Sequence, residues 1–182
     1  MRMDRTRGET AAQLIARSSE AALAAILTEN ADEPHAGLIA ALLRPGLEGP
    51  ESQARPLMTT HAVERIVRTG LSAARPDLPK TAVKMSVRRT FQALRIAVNQ
   101  EFAALEALLT ALPQCLAPGG RVAMLTFHSG EDRRVKKAFQ AGFRDGVYAD
   151  IAREVVRSTK EETFANRRAS AAKLRWAVTP AG

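Results

Sequence analysis

The residues best suited to chemistry lie in one short polar stretch, Phe127-His128-Ser129-Gly130-Glu131-Asp132, which directly follows an apolar run. The apolar run predicts a strand, and open α/β sheets bind ligands beyond the carboxyl ends of their strands. His128 could accept a proton or donate a hydrogen bond there, because an imidazole titrates near neutral pH. The alternative is a capping turn, in which Ser129 caps the next helix, Asp132 returns the bond and His128 only packs. The sequence leaves these two interpretations open.

A second set of polar side chains recurs on one face of a predicted helix, at Arg88, Gln92, Arg95 and Asn99. Their spacing places them on one stripe, opposite the apolar residues of the same helix. A guanidinium group can bind phosphate with two hydrogen bonds, and an asparagine can reach a sugar or a base edge. The stripe therefore indicates a nucleic-acid contact, with an ordinary exposed helix face as the alternative.

Basic residues are concentrated in the later part of the chain. Residues 1–83 carry 10 Lys+Arg and 10 Asp+Glu, whereas residues 84–182 carry 17 and 9. Arg168 lies in a basic segment, residues 166–170, that precedes the last predicted strand and suits phosphate contact. The net charge of +8 thus favours a polyanionic partner, with nucleic acid the first choice and a solvated basic face as the alternative.

Several function classes are excluded or disfavoured by what the sequence lacks. The single cysteine, Cys115, excludes an internal disulfide framework and a multi-cysteine zinc site, and His35 and His61 have no ligand partners at useful spacing. No apolar run approaches the roughly 20 residues of a membrane helix, and the charged start at Met1 leads into no signal core. We therefore expect a cytoplasmic protein with no membrane contact and no metal site.

The elements that must position these residues differ along the chain. Apolar positions at helical spacing predict one long helix from Val87 to Leu112, preceded by short helices with a break at Ser18/Ser19 and a loop over residues 44–58. Residues 121–127 read as a buried strand, and residues 173–179 as a final, half-buried strand that turns Leu174, Trp176 and Val178 to one side. Residues 144–165 read as short helices and loop. These elements predict a piece of an open α/β sheet, of which a portion is missing, because two strands make a marginal sheet.

Three ordered motifs resemble those of the bacterial small-subunit ribosomal RNA methyltransferase H family, also called MraW. The first is Arg89-Thr90-Phe91-Gln92 with its continuation to residue 101, the second covers residues 116–136 and includes His128-Ser129-Gly130-Glu131-Asp132, and the third covers residues 166–175. Residues 1–4, with Gly8, resemble a further motif that is internal in the family. The resemblance covers essentially the whole chain.

The resemblance implies an α/β fold, namely part of a class I (Rossmann-like) methyltransferase with an all-helical inserted subdomain. Residues 1–83 match the helical insertion and residues 84–182 match the last part of the Rossmann-like domain. The implied reaction is methylation of the exocyclic N4 of a cytosine in 16S rRNA, with S-adenosylmethionine as the methyl donor. The residues expected near the reacting amine are His128, Ser129 and Glu131. Those expected to hold 16S rRNA or the small ribosomal subunit are Arg88, Arg89, Arg95, Asn99 and Arg168.

The family's glycine-rich cofactor loop and its acidic ribose ligand have no counterpart in the 182 residues. We therefore expect no binding of S-adenosylmethionine by this chain alone. A partner chain or a homo-oligomer could complete the sheet. The alternatives to an enzyme are a non-catalytic RNA-binding remnant and a non-functional gene fragment.

Overall fold

A computed structural model describes residues 1–4, 6, 8–44 and 59–182 of the chain. The predicted loop over residues 44–58 lies, apart from Arg44, outside the described residues. The chain divides into two compact units, Met1–Glu101 and Phe102–Gly182. This division reflects which residues pack together. The boundary predicted between residues 83 and 84 is instead based on the resemblance of the sequence to the family. The roles assigned to residues 1–83 and 84–182 stay predictions.

The described part of the first unit is helical, and polar residues define where its helices begin. The helices are α1 (Ala11–Arg17), α2 (Glu20–Ala31), α3 (Ala36–Leu43), α4 (Thr60–Ala74) and α5 (Lys80–Asn99). The side chains of Thr10, Ser19 and Thr59 accept backbone N–H groups at the starts of α1, α2 and α4. The predicted break between the first two helices is confirmed, with Ser18 ending α1 and Ser19 capping α2.

The core of the first unit forms where α5 packs against α1, α2 and α4. Its fully buried side chains include Leu23, Leu27, Ile39, Leu43, Val67 and Leu94. A buried carboxylate lies within the same unit: Glu33 accepts hydrogen bonds from the Ser86 hydroxyl (2.9 Å) and from the His35 backbone N–H (3.0 Å). This carboxylate links α5 to the start of α3.

The prediction of one long helix from Val87 to Leu112 is wrong. The segment forms α5 and a separate helix, α6 (Glu101–Cys115), because Gln100 adopts a left-handed conformation with φ of 51°. The apolar residues keep their helical spacing across Gln100, but those before it pack into one hydrophobic core and those after it into another. Leu94 is buried in the first unit and Leu109 in the second. The periodicity therefore could not reveal the break.

The second unit contains a four-stranded antiparallel sheet. Its strands are β1 (Arg121–Thr126), β2 (Asp150–Ile151), β3 (Val156–Arg157) and β4 (Lys173–Val178). The strand order is β1-β4-β2, and β3 also pairs with β4. Its helices, besides α6, are α7 (Ser129–Arg144), α8 (Lys160–Ala165) and a 3-10 helix at Arg167–Ala171. Within residues 144–165, the helix is confirmed, whereas β2 and β3 were not predicted, because two-residue strands show no alternation.

The prediction that β1 is a buried strand is wrong. Among the described residues it pairs only with β4, so it is an edge strand. Val122 and Met124 contribute to the core beneath α7, while Leu125, on the opposite face, is 55% exposed. A run of apolar residues does not distinguish a strand covered on both faces from one covered on a single face.

The final strand is confirmed, but its buried side is the reverse of the one expected. Arg175, Ala177 and Thr179 are buried, whereas the apolar residues that alternate with them are only partly buried. With the neighbouring strands they form what we call the open sheet face, none of whose members is fully buried by the described residues. Its members are Ala123, Leu125, Val156, Leu174, Trp176 and Val178.

The described residues thus give a mixed helix-and-sheet protein. None of the described helices combines the length and the hydrophobicity that crossing a membrane would need.

Candidate functional site

The polar stretch after β1 forms the start of α7. His128, not Ser129, is the N-cap residue, and its Nδ1 accepts the backbone N–H of Glu131 at 3.4 Å. The expected cap at Ser129 is therefore wrong by one residue, because an imidazole nitrogen takes the place of the hydroxyl. The other ring nitrogen, Nε2, lies 3.2 Å from Glu131 Oε1. Both nitrogens thus face the same residue, and the ring is held on the helix end.

Glu131 is the anchor of this turn. Its Oε2 accepts the backbone N–H of Phe127 at 2.9 Å, while Oε1 faces His128. Burial by itself raises the pKa of Glu131, but the His128 side chain and the Phe127 N–H outweigh it and lower the pKa to about 2. The carboxylate therefore stays ionised and acts as an acceptor rather than as a proton donor.

The shift in Glu131 predicts a loss of stability in acid. Because its pKa is lower in the folded chain than the ordinary value of 4.5, its contribution is complete above pH 4.5 and is lost as the pH falls towards 2. We expect Glu131→Gln to lower the free energy of unfolding by about 2 kcal/mol at pH 6 and by much less near pH 2.5. Chemical denaturation over this pH range measures the difference. Glu154→Gln, at an exposed carboxyl, is the control, and a pH-independent cost of Glu131→Gln would contradict the prediction.

Ser129 differs from its two neighbours. It is exposed as the first residue of α7, and its hydroxyl forms no hydrogen bond within the described residues, whereas His128 and Glu131 hold each other. Of the three predicted catalytic residues, which the structure brings together in one turn, Ser129 is the one whose polar atom is available to a ligand.

Phe102 forms a floor beneath the turn. It is buried, its ring centroid lies 5.8 Å from that of His128, and the guanidinium carbon of Arg134 lies 3.4 Å above it. A Cβ on Gly130 would come within 2.6 Å of Cζ of Phe102. The glycine therefore allows the helix start to approach the aromatic ring.

Asp132 serves the sheet rather than the capping turn. It accepts two hydrogen bonds from Arg175 on β4, at 2.7 Å from Nε and 3.2 Å from Nη2. The side chain of Asp132 is 15% exposed and that of Arg175 is 7% exposed. Burial raises the pKa of Asp132, but Arg175, with help from Lys173 and Arg157, outweighs it and lowers the pKa overall. No local pattern predicts this pair, although both residues lie in the recognised motifs.

The predicted RNA-binding residues of the first unit lie along α5 and differ in their exposure and in their hydrogen-bond partners. Arg88 is exposed and Arg89 is partly buried. Arg95 is held by Glu101 through two hydrogen bonds of 2.9 Å. Asn99 binds the start of the chain, accepting the Met3 N–H (2.8 Å) and donating to the Met1 carbonyl (3.0 Å). Arg88 is therefore the member of the stripe whose charge is most accessible.

Arg168, the RNA-binding residue predicted in the second unit, is exposed on the 3-10 helix. The Asn166 side chain accepts its backbone N–H at 3.1 Å and fixes the start of that helix. Its guanidinium is therefore presented outward by an ordered segment.

The residues present do not fit S-adenosylmethionine. Such a cofactor needs a glycine-rich turn that leaves a strand and opens a helix N-terminus. In the described part of the chain, the turn between β1 and α7 offers Gly130, which is buried against Phe102, and the turn between β3 and α8 contains no glycine. No step is therefore assigned to the cofactor on this chain.

The chain matches the MraW methylase family over residues 1–179. The ribosomal RNA small subunit methyltransferase H 2 of Alkaliphilus metalliredigens is 43% identical over 98% of this chain and 50% of that protein. The methyltransferase H 1 of Lachnoclostridium phytofermentans is 40% identical over 98% of this chain and 48% of its own length. The methyltransferase H of Acidobacterium capsulatum is 40% identical over 96% and 54%, respectively.

The chain thus spans about half the length of the curated relatives it matches. The turn from His128 to Glu131 and the Asp132–Arg175 pair both fall within the matched residues. The resemblance inferred from the motifs is confirmed, and the chain belongs to the MraW methylase family.

Proposed function

We propose that this chain is the RNA-facing part of an enzyme that methylates the exocyclic N4 of a cytosine in 16S rRNA. The observation that carries the proposal is the match over residues 1–179 to a family whose relatives are named ribosomal RNA small subunit methyltransferases. The methyl donor of the complete enzyme would be S-adenosylmethionine, held by the half of the relatives that this chain does not match. Since the substrate is the small ribosomal subunit or its RNA, the place of action would be the cytoplasm.

The architecture we propose has two roles for the two parts of the chain. Residues 1–83 would form the inserted helical subdomain that recognises the substrate, and residues 84–182 the end of a Rossmann-like domain. The structural units divide at a different place, after Glu101, so that α5 packs with the helical first unit and the sheet lies in the second. The RNA would be held by Arg88, Arg89, Arg95, Asn99 and Arg168.

The chemistry of the acceptor explains what the turn at α7 would contribute. The lone pair of a cytosine amine is conjugated with the ring, so the site must hold the amine in a reactive geometry and accept a proton from it. The exposed Ser129 hydroxyl would accept a hydrogen bond from the amine and orient it, and the proton that the methylated amine loses would pass to solvent water. His128 and Glu131, which bond to each other, would act as positioning residues that fix the helix end on which Ser129 sits.

A non-catalytic RNA-binding protein is the second candidate. The poor fit of the described residues to S-adenosylmethionine favours it, as does the excess of basic residues after residue 83. A gene fragment without function would bind neither cofactor nor RNA. The three hypotheses therefore separate on methyl transfer and on RNA binding.

A chimera tests the proposed reaction. In it, the 182 residues replace the matching half of the Alkaliphilus relative, and nucleosides of 16S rRNA from cells lacking their own enzyme are analysed by mass spectrometry. We expect N4-methylcytidine. Methylation at another atom, or none with a folded chimera, would overturn the proposal.

The chimera also tests Ser129. We expect Ser129→Ala to lower turnover at least about tenfold while the melting temperature stays unchanged, because the hydroxyl forms no internal bond. Ser72→Ala, at an exposed serine of α4, is the matched control. Equal turnover of the two variants would assign the turn a purely structural role.

A further inference from the structure

Helix α7 presents one face that is entirely polar and mostly cationic. At 100° per residue, the residues of this face fall within one arc of about 100°, opposite the buried Val135 and Phe139. We call it the α7 basic face; its members are Arg133, Lys136, Lys137, Gln140 and Arg144, all exposed. It extends about 16 Å along the helix axis, from the first member to the last.

The two acidic residues of α7 bind groups that lie outside this face. Glu131 binds the Phe127 N–H and faces His128, and Asp132 is bonded to Arg175. The usual arrangement on an exposed helix is different, since acidic and basic residues three or four positions apart pair with each other.

The two central cations of the face are the most available. Within the part of the chain that the structure describes, Lys136 and Lys137 form neither an ion pair nor a hydrogen bond. Lys137 also borders a groove of about 300 Å³, which α6 lines with Leu109 and Thr110. At the far end of the face, Arg144 lies 3.4 Å from Asp145, with both side chains well exposed, so this contact is weak.

We propose that the α7 basic face binds the phosphate backbone of RNA. The inference rests on the proposed function, because relatives named as ribosomal RNA methyltransferases make RNA the polyanion that the chain would meet. It adds a surface in the second unit that is separate from the stripe on α5, where Arg95 and Asn99 are already held by Glu101 and Met3.

An anionic membrane fits this face less well than RNA. A helix that lies on a membrane buries an apolar face in the lipid, and the apolar face of α7 is used in the core of the second unit. Binding to the backbone of single-stranded or looped RNA requires only cations spaced along an exposed surface, since phosphate contacts are independent of base sequence.

The test is the salt dependence of binding between the full 182-residue chain and a fragment of 16S rRNA. The double variant Lys136→Gln/Lys137→Gln removes two cations from the face. The matched control Arg153→Gln/Lys160→Gln removes two exposed cations of the same unit outside it. Melting temperatures of both variants check that the fold is intact.

We expect the slope of log affinity against log salt to become shallower by about 1.4 in the α7 variant, with roughly tenfold weaker binding at low salt, and to stay unchanged in the control. Equal effects in the two variants, or no effect in either, would overturn the inference, as would a wild-type chain that does not bind the RNA. Polyglutamate competing as strongly as RNA would also overturn it and indicate an acidic protein partner. If the chimera forms N4-methylcytidine while the α7 variant binds RNA normally, the proposed function stands and this inference alone fails.

Discussion

Adding the cofactor-binding half of a family member in trans is expected to raise the melting temperature of the chain by about 5–10 °C and to sharpen the transition. Two features of the second unit point to this result. In the described residues, the outer edge of β1 has no strand beside it, and the open sheet face leaves Leu125 55% and Val156 49% exposed. Unpaired edges and exposed apolar faces recruit other chains.

The size of the effect follows from mass action. A partner that binds only the folded chain, at 100 times its dissociation constant, stabilises it by about 2.7 kcal/mol. For a chain of this length, 1 kcal/mol shifts the melting temperature by about 2–4 °C. Without the partner, we expect the chain to self-associate, which light scattering would detect.

One substitution on the open sheet face locates the interaction. Leu125→Glu should abolish the stabilisation by the added half, because it places a charge in the apolar interface while changing little in the free chain. Phe164→Glu, at a residue of α8 that is 92% exposed, is the matched control. If both variants respond to the added half as the wild type does, the open sheet face is not where the partner binds. A monodisperse monomer with a sharp melt and no response would contradict the prediction as a whole.

Breaking the Asp132–Arg175 pair is expected to be among the most destabilising single changes in the second unit. Asp132→Ala leaves the guanidinium of Arg175 buried without its partner, which costs about 3–5 kcal/mol of folding stability. Asp132→Asn keeps one acceptor and should cost less. Chemical denaturation measures both, and the Asn variant remains informative where the Ala variant does not fold.

Two comparisons separate this pair from an ordinary surface ion pair. Glu106→Ala, which releases Arg134 from a contact whose carboxylate side chain is 58% exposed, should cost under about 1 kcal/mol. The double variant Asp132→Leu/Arg175→Met should recover most of the loss, because it removes both charges from the interior. A cost for Asp132→Ala no larger than that for Glu106→Ala would show that the pair is not structurally important.

The helices of the first unit could be predicted because their signals are local. Hydroxyl side chains at Thr10, Ser19 and Thr59 mark helix starts, and the apolar residues follow at helical spacing. The break at Gln100 could not be predicted, since one left-handed residue leaves the spacing of apolar residues nearly unchanged.

The buried side of β4 was missed for a physical reason. Alternation along a strand separates its two faces but does not say which face is inside. The apolar residues were assigned to the core, yet the covered face carries Arg175, whose charge is matched by Asp132 from α7. An ion pair across 43 residues of sequence is invisible to any local pattern.

In the candidate site, too, local features could be predicted from the sequence and long-range contacts could not. The stretch after β1 does join a strand to a helix, as its position and composition predict, and its role as a functional site remains a prediction. The contacts of the α5 stripe were not foreseen, because Asn99 binds Met1 and Met3, almost a hundred residues away in sequence. The acidic partner of Arg95, Glu101, also lay beyond the stripe that was considered.

Methyl transfer by separated halves tests the central claim most directly. The purified chain, the cofactor-binding half of a relative, and the mixture of the two are each incubated with a 16S rRNA fragment and methyl-labelled S-adenosylmethionine. We predict label on cytosine N4 in the mixture and none with either half alone. The described residues of this chain provide no binding site for the cofactor, whereas the turn at Ser129 belongs to this chain and not to the cofactor-binding half. Label transferred by the 182-residue chain alone, or a stable complex of the two halves that leaves the RNA unlabelled, would contradict the account.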